Sequence, residues 1–183
     1  NMSKVAPTLL STFLMLAALP CAAAASGYNE TLTLQGISFE VSAAENGATS
    51  KLTIKPSGLK AVNDPVTHDI AGRVLRAEVA DIDSNGDPEI YVFTASNGDP
   101  KRGGIIAYAV NKKRSISQIY VPDFAEDPKL AAGYAGGDES AVVETSLVTR
   151  FKIANDGKWR QLQYKLKPGE AGWKLVLDKV VEF

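Results

Sequence analysis

One cysteine, Cys21, and one histidine, His68, are all that the 183 residues contain of either type. A zinc site takes three or four nitrogen, sulfur or oxygen ligands, and a single imidazole is a poor start on that set. No disulfide can form within the chain, because a lone cysteine has no partner. Also missing is any G-x-S-x-G elbow, so no hydrolase nucleophile with its base stands out. No G-x-x-x-x-G-K-[ST] loop is present to cradle a phosphate. Paired carboxylates for acid–base work are not singled out by any spacing. Strong charge of one sign is lacking too: 20 Lys and Arg stand against 21 Asp and Glu. That balance suggests neither a nucleic-acid stripe nor a polybasic membrane patch. The densest basic run, Lys112-Lys113-Arg114, falls between two strand-like segments and reads as a solvated hairpin turn.

Long apolar runs are scarce. The longest, Leu9 to Leu19, is interrupted by Ser11 and Thr12 and is shorter than the roughly 20 apolar residues of a membrane span. With Lys4 before it and Ala23-Ala24-Ala25 after it, the run reads as a secretory signal peptide over residues 1–25, cleaved before Ser26. Lipid attachment at Cys21 is the other processing route, and Pro20 disfavours it, since a small residue is wanted there. The 26–183 stretch, about 158 residues, suits one domain with its own core. The expectation is a secreted, periplasmic, soluble protein without membrane insertion.

What the sequence has in quantity is period-two alternation. Leu32 and Leu34, then Ile37, Phe39 and Val41, then Leu52 and Ile54 alternate with polar residues. Ile90 and Val92, Phe151 and Ile153, Leu162, Tyr164 and Leu166, and Trp173, Leu175 and Leu177 continue the pattern. Turn signals separate these runs: Gln35-Gly36, Glu45-Asn46-Gly47, Asn155-Asp156-Gly157 and Pro168-Gly169. Short alternating segments with such punctuation predict an all-β fold, an antiparallel β-sandwich or barrel in a single domain with little helix. The helix candidate is short, Ala125 to Ala132, inside a connection that runs to Asp138. Tyr134 in that connection is a candidate contact residue, with packing as the other role open to it.

The organising stretch is Val79 to Val110. It predicts a strand (Val79–Ile82), a tight acidic turn, a strand (Pro88–Ala95), a long loop and a third strand (Ile105–Val110). Within the turn, Asp81, Asp83, Asn85, Asp87 and Glu89 place oxygen side chains at alternate positions around Gly86. A hard cation such as calcium wants several converging oxygens, so these five are candidate ligands. The bidentate glutamate of the twelfth loop position is replaced by Val92. Equally, Asn85-Gly86 suits a primed hairpin turn that needs no metal. The loop Ser96 to Gly104 is the other candidate. Asp99, Pro100, Lys101 and Arg102 lie between Gly98 and Gly103, and Pro100 lowers the cost of ordering the loop on binding. His68, in Thr67-His68-Asp69, reads as a hydrogen-bonded structural histidine at a strand edge.

Several runs together resemble a known family. They are Ser26-Gly27-Tyr28, Glu30-Thr31-Leu32-Thr33-Leu34-Gln35-Gly36-Ile37-Ser38-Phe39, Pro56-Ser57-Gly58-Leu59 and Ala77-Glu78-Val79-Ala80-Asp81. Pro88-Glu89-Ile90-Tyr91-Val92, Arg160-Gln161-Leu162-Gln163-Tyr164-Lys165-Leu166 and Trp173-Lys174-Leu175 continue the match. On these the chain resembles the periplasmic inhibitors of invertebrate-type lysozymes. The resemblance implies a β-sandwich, a periplasmic home, a homodimer and a loop inserted into the lysozyme cleft, with no catalysis by the inhibitor. That family's loop carries Ser-Gly-x-Tyr. Counted back from Ala107-Tyr108, Asp99, Pro100, Lys101 and Arg102 hold those positions, and neither the serine nor the tyrosine is present. Lysozymes work with two carboxylates at the scissile bond, and a guanidinium fork can bridge carboxylates. Ser96, Gly98, Asp99, Pro100, Lys101, Arg102 and Gly103 are therefore the candidate target-binding residues, with Arg102 entering the cleft and Lys101 assisting. A calcium-dependent secreted binding or adhesion module on the same sandwich is the alternative.

Overall fold

Twelve strands carry most of residues 27–183, the part of the chain that the computed structural model describes. The predicted signal segment, Cys21 and Ser26 lie outside the described residues. Four strands form the first sheet in chain order: β1 (Gly27–Leu34), β2 (Ile37–Asn46), β3 (Thr49–Ser57) and β4 (Val66–Ile70). Eight form the second: β5 (Gly72–Ala80), β6 (Glu89–Ser96), β7 (Gly103–Asn111), β8 (Ser115–Tyr120), β9 (Glu139–Val143), β10 (Ser146–Lys152), β11 (Trp159–Gly169) and β12 (Gly172–Glu182). Their spatial order is β5-β6-β7-β8-β12-β11-β10-β9. The all-β, sandwich-like single domain expected from the alternation is what folds.

Neighbours pair antiparallel with one exception. β12 meets β8 in parallel, and only at Trp173 and Lys174. Around this seam the larger sheet curls until its edge strands β5 and β9 approach each other. Side chains bridge that gap. The Glu78 carboxylate accepts from the Val142 N–H at 2.8 Å, and Arg76 donates to the Ser140 carbonyl. The second sheet is thus close to a closed barrel, with the first sheet packed on its β5–β7 side.

Two apolar cores result. Ile37, Phe39, Val41, Leu52 and Ile54 of the first sheet meet Val74, Ile90, Val92, Tyr108 and Val110 between the sheets. Tyr91, Phe93, Ala107, Ile119, Leu147, Leu162, Tyr164, Leu166 and Leu175 fill the barrel. β6 serves both, so Glu89 through Phe93 is buried without a break. This departs from the predicted simple alternation at Ile90 and Val92. A strand covered on both faces has no solvent side to which polar residues could be assigned.

Other differences are local. The predicted helix Ala125–Ala132 is a single 3-10 turn, Phe124–Glu126, followed by a helix of one turn, Pro128–Ala131, whose first N–H groups are capped by Asp127. Strand β5 stops at Ala80 and β6 starts at Glu89, so residues 81–88 are a wider connection than a two-residue primed turn. Positive φ falls at Ser84 and Gly86 there, not at the adjacent pair Asn85-Gly86. The basic run is a tight turn as expected, with Lys112 and Lys113 both at positive φ and the Arg114 N–H donating to the Asn111 carbonyl at 2.9 Å. Among the described residues, no helix is long and apolar enough to cross a membrane.

His68 lies on edge strand β4, its Nε2 2.6 Å from the Tyr108 hydroxyl. Burial holds its pKa below the ordinary 6.5. As pH falls, the unfolded chain takes the proton before the folded one. The contribution is therefore fully present above about 6.5 and lost below it. Urea midpoints should drop between pH ~7 and ~5.5, and less steeply in His68→Gln. Equal slopes would assign the loss to carboxylates instead.

Candidate functional site

Strand β6 connects the two candidate regions. The acidic connection precedes Glu89 at one end, and the basic loop follows Ser96 at the other. Seven residue steps put these ends on the order of 23 Å apart. One compact site cannot include both.

At the basic end, Asn97, Gly98, Asp99, Pro100, Lys101, Arg102 and Gly103 are exposed. The backbone at the neck and along the arm from Lys101 to Gly103 is nonetheless held. The Ser96 N–H donates to the Arg102 carbonyl and the Arg102 N–H to the Ser96 hydroxyl, both at 2.8 Å, closing the loop at its neck. The Gly137 N–H donates to the Lys101 carbonyl at 2.7 Å. Asp138 accepts from the Gly103 N–H at 3.0 Å and from the Tyr134 hydroxyl. On the far side, Asn97 donates to the Ala48 carbonyl at 2.6 Å. Gly136, at φ +81°, passes beneath the loop; a Cβ there would lie 2.7 Å from Pro100 Cβ.

Tyr134 therefore belongs to this site, although as a support. Its ring packs on Phe124 and Phe151, and the Arg102 guanidinium stands 5.4 Å from its centroid. Burial, followed by the hydrogen bond to Asp138, pushes the Tyr134 hydroxyl well above its usual pKa, so it stays a donor. Arg102 leans back on the frame, and Lys101 beside it is exposed. Neither forms an ion pair among the described residues. Beside this rim lies a hollow of about 300 Å³ at the barrel mouth, lined by Arg102, Phe124, Tyr134, Asp138 and Tyr164 among others. The sequence reading did not include Asp138 or Gly136. The loop groups they meet, the Gly103 N–H and Pro100, are 35 and more residues earlier in the chain, beyond any local signal.

At the acidic end, the five candidate ligands separate into two groups. Asp81, Asp83 and Glu89 each offer an oxygen within 4.8 Å of the others. Asp81 also organises the loop: Oδ1 accepts from the Asn85 N–H at 3.1 Å, and Oδ2 from the Gly86 N–H and Gln35 Nε2 at 2.9 and 2.8 Å. Asn85 and Asp87 stand apart. Asn85 caps the Asp87 N–H at 2.8 Å, and Asp87 pairs with Lys113 at 3.5 Å. Glu89 is 1% exposed, and its Oε1 accepts from the Ile82 N–H at 3.1 Å and the Tyr91 hydroxyl at 3.3 Å. Burial pushes this carboxyl up to about 8, and the Asp83 and Asp81 charges add to the rise. Burial would also raise Asp81, but its donors, Gln35 and Gly86 foremost, hold it below the ordinary range; Asp83 is raised by burial and by Asp81.

Replacing Asp138 with alanine removes the acceptor of the Gly103 N–H and of the Tyr134 hydroxyl at once. Amide exchange over residues 101–103 should quicken about tenfold, the equivalent of ~1.4 kcal/mol of lost hydrogen bonding, while the far-ultraviolet spectrum stays unchanged. Unaltered exchange would mean that Gly137 and Ser96 hold this arm without Asp138. In comparisons with known proteins, no family model, curated protein or solved structure matches the chain.

Proposed function

We propose that this protein is a secreted periplasmic inhibitor of lysozyme that presents the 96–104 loop to the enzyme's active-site cleft and performs no reaction itself. The observation that supports this reading is a loop whose backbone is fixed at four points while the side chains of Asp99 through Arg102 stay exposed. A loop ordered before contact loses little conformational freedom on binding. Two adjacent cations at its end suit a cleft built around paired carboxylates. The family resemblance supplies the target class, and the loop's chemistry is consistent with it. Lys101, exposed beside Arg102, assists with a second charge. Arg102 sits at the base of the protrusion, where it can swing from Tyr134 to a carboxylate.

The homodimer that goes with this reading would use the outer side of β12. That strand pairs with β11 along its length but with β8 at Trp173 and Lys174 only. Val176, Leu177 and Val180 are exposed along the remainder. Open backbone with apolar side chains suits pairing with a second copy.

Inhibition assays against invertebrate, chicken and goose-type lysozymes test the proposal. Activity against at least one class is expected. Lys101→Ala and Arg102→Ala should each weaken inhibition roughly 30-fold or more if their charges are buried in the complex, mainly through faster dissociation. Absence of inhibition in all three classes sinks the reading. For the dimer, sedimentation of the wild type at micromolar concentration should give twice the monomer mass, and Val180→Lys should halve it.

A further inference from the structure

The acidic end of β6 is not used by a loop-borne inhibitor, and it gathers three carboxyl groups that no lysine or arginine pairs with among the described residues. Asp81, Asp83 and Glu89 converge there within 4.8 Å. The nearby cation, Lys113, is engaged by Asp87 and by the Gly86 carbonyl. An acidic group alone would mean little, since exposed carboxylates cluster often. Here the third member is buried in the floor of the barrel. One oxygen of Glu89 is satisfied, and the other, Oε2, is buried without any hydrogen-bond partner. An unsatisfied carboxylate oxygen in such a place is costly unless a ligand meets it.

We propose that Asp81, Asp83 and Glu89 bind a calcium ion that ties the 81–88 connection to the first residue of β6. The proposal stands independently of the inhibitor reading. Carboxylate oxygens spread over no more than 4.8 Å fit around one ion that holds oxygen at roughly 2.3–2.6 Å. All-oxygen donors select a hard cation over the transition metals. Calcium is the cation proposed, because its loose shell of roughly six to eight oxygens is completed readily by water around three protein carboxylates, whereas magnesium demands near-ideal octahedral geometry. Asp87 lies outside this convergent group and pairs with Lys113, and Asn85 caps the Asp87 N–H. The ligands therefore come from the first, third and ninth positions of the loop, with the ninth supplied by the sheet. Gln35, donating to Asp81 from the β1–β2 turn, links the same ion indirectly to the first sheet.

Purified protein stripped with a chelator is melted with and without ~5 mM calcium chloride, well above the affinity of typical extracellular calcium modules. The midpoint should rise by about 3–6 °C, and clearly less with equal magnesium. Glu89→Gln keeps the buried shape and should lose the rise. Asp83→Asn, on the partly exposed side, should lose it too and serves if the first variant does not fold. Terbium gives a direct readout: Tyr91, 3.3 Å from Glu89 Oε1, should sensitise its emission, and calcium should quench that signal by displacement. The proposal is overturned by a midpoint indifferent to calcium, by variants that respond as the wild type does, by magnesium acting equally, or by terbium emission that calcium leaves unchanged.

Discussion

Strand β6 has to be buried on both faces, and the rest of the architecture answers to that constraint. Ile90 and Val92 need the first sheet, while Tyr91 and Phe93 need the inside of the barrel. Neither core is complete without the other side of the same strand. Burial of several large side chains at about 1.5–3 kcal/mol each makes this the part of the fold least able to shift. Both ends of the strand inherit that rigidity. Each carries a connection whose residues are held by hydrogen bonds to distant parts of the chain.

The two ends use rigidity differently. At the basic end it fixes the backbone and leaves side chains outward, the arrangement of a contact surface. At the acidic end it drives a carboxylate inward against its solvation preference. Such a group persists only when the surroundings over-determine its position; here the Ile82 N–H of the connection and the Tyr91 hydroxyl of β6 do so.

Much of the sheet structure was legible because alternation survives wherever a strand has one wet face. Ile37, Phe39 and Val41, and Leu162, Tyr164 and Leu166, all point into cores as their spacing implies. Leu177 continues the spacing from Leu175 but stays 36% exposed, on the strand whose outer side lacks a neighbour. At the acidic turn, Asn85-Gly86 carries a strong local preference. It was overridden by the Asp81 carboxylate gathering two backbone N–H groups and the side chain of Gln35, 46 residues away. The loop 96–104 could be read as exposed and basic. Its attachment to Gly137 and Asp138 could not, because hydrogen bonds between separate loops leave no periodic mark.

The brief parallel seam between β8 and β12 divides the curled sheet into two meanders, β5 to β8 and β9 to β12. Each can form from neighbouring strands, but the enclosed interior exists only after both have docked. A nascent chain released before β12 is complete would leave Tyr91, Phe93 and Ile119 facing water. Assembly of the barrel is thus a late event gated by the last hairpin, and long-range closure of that kind is intrinsically slow.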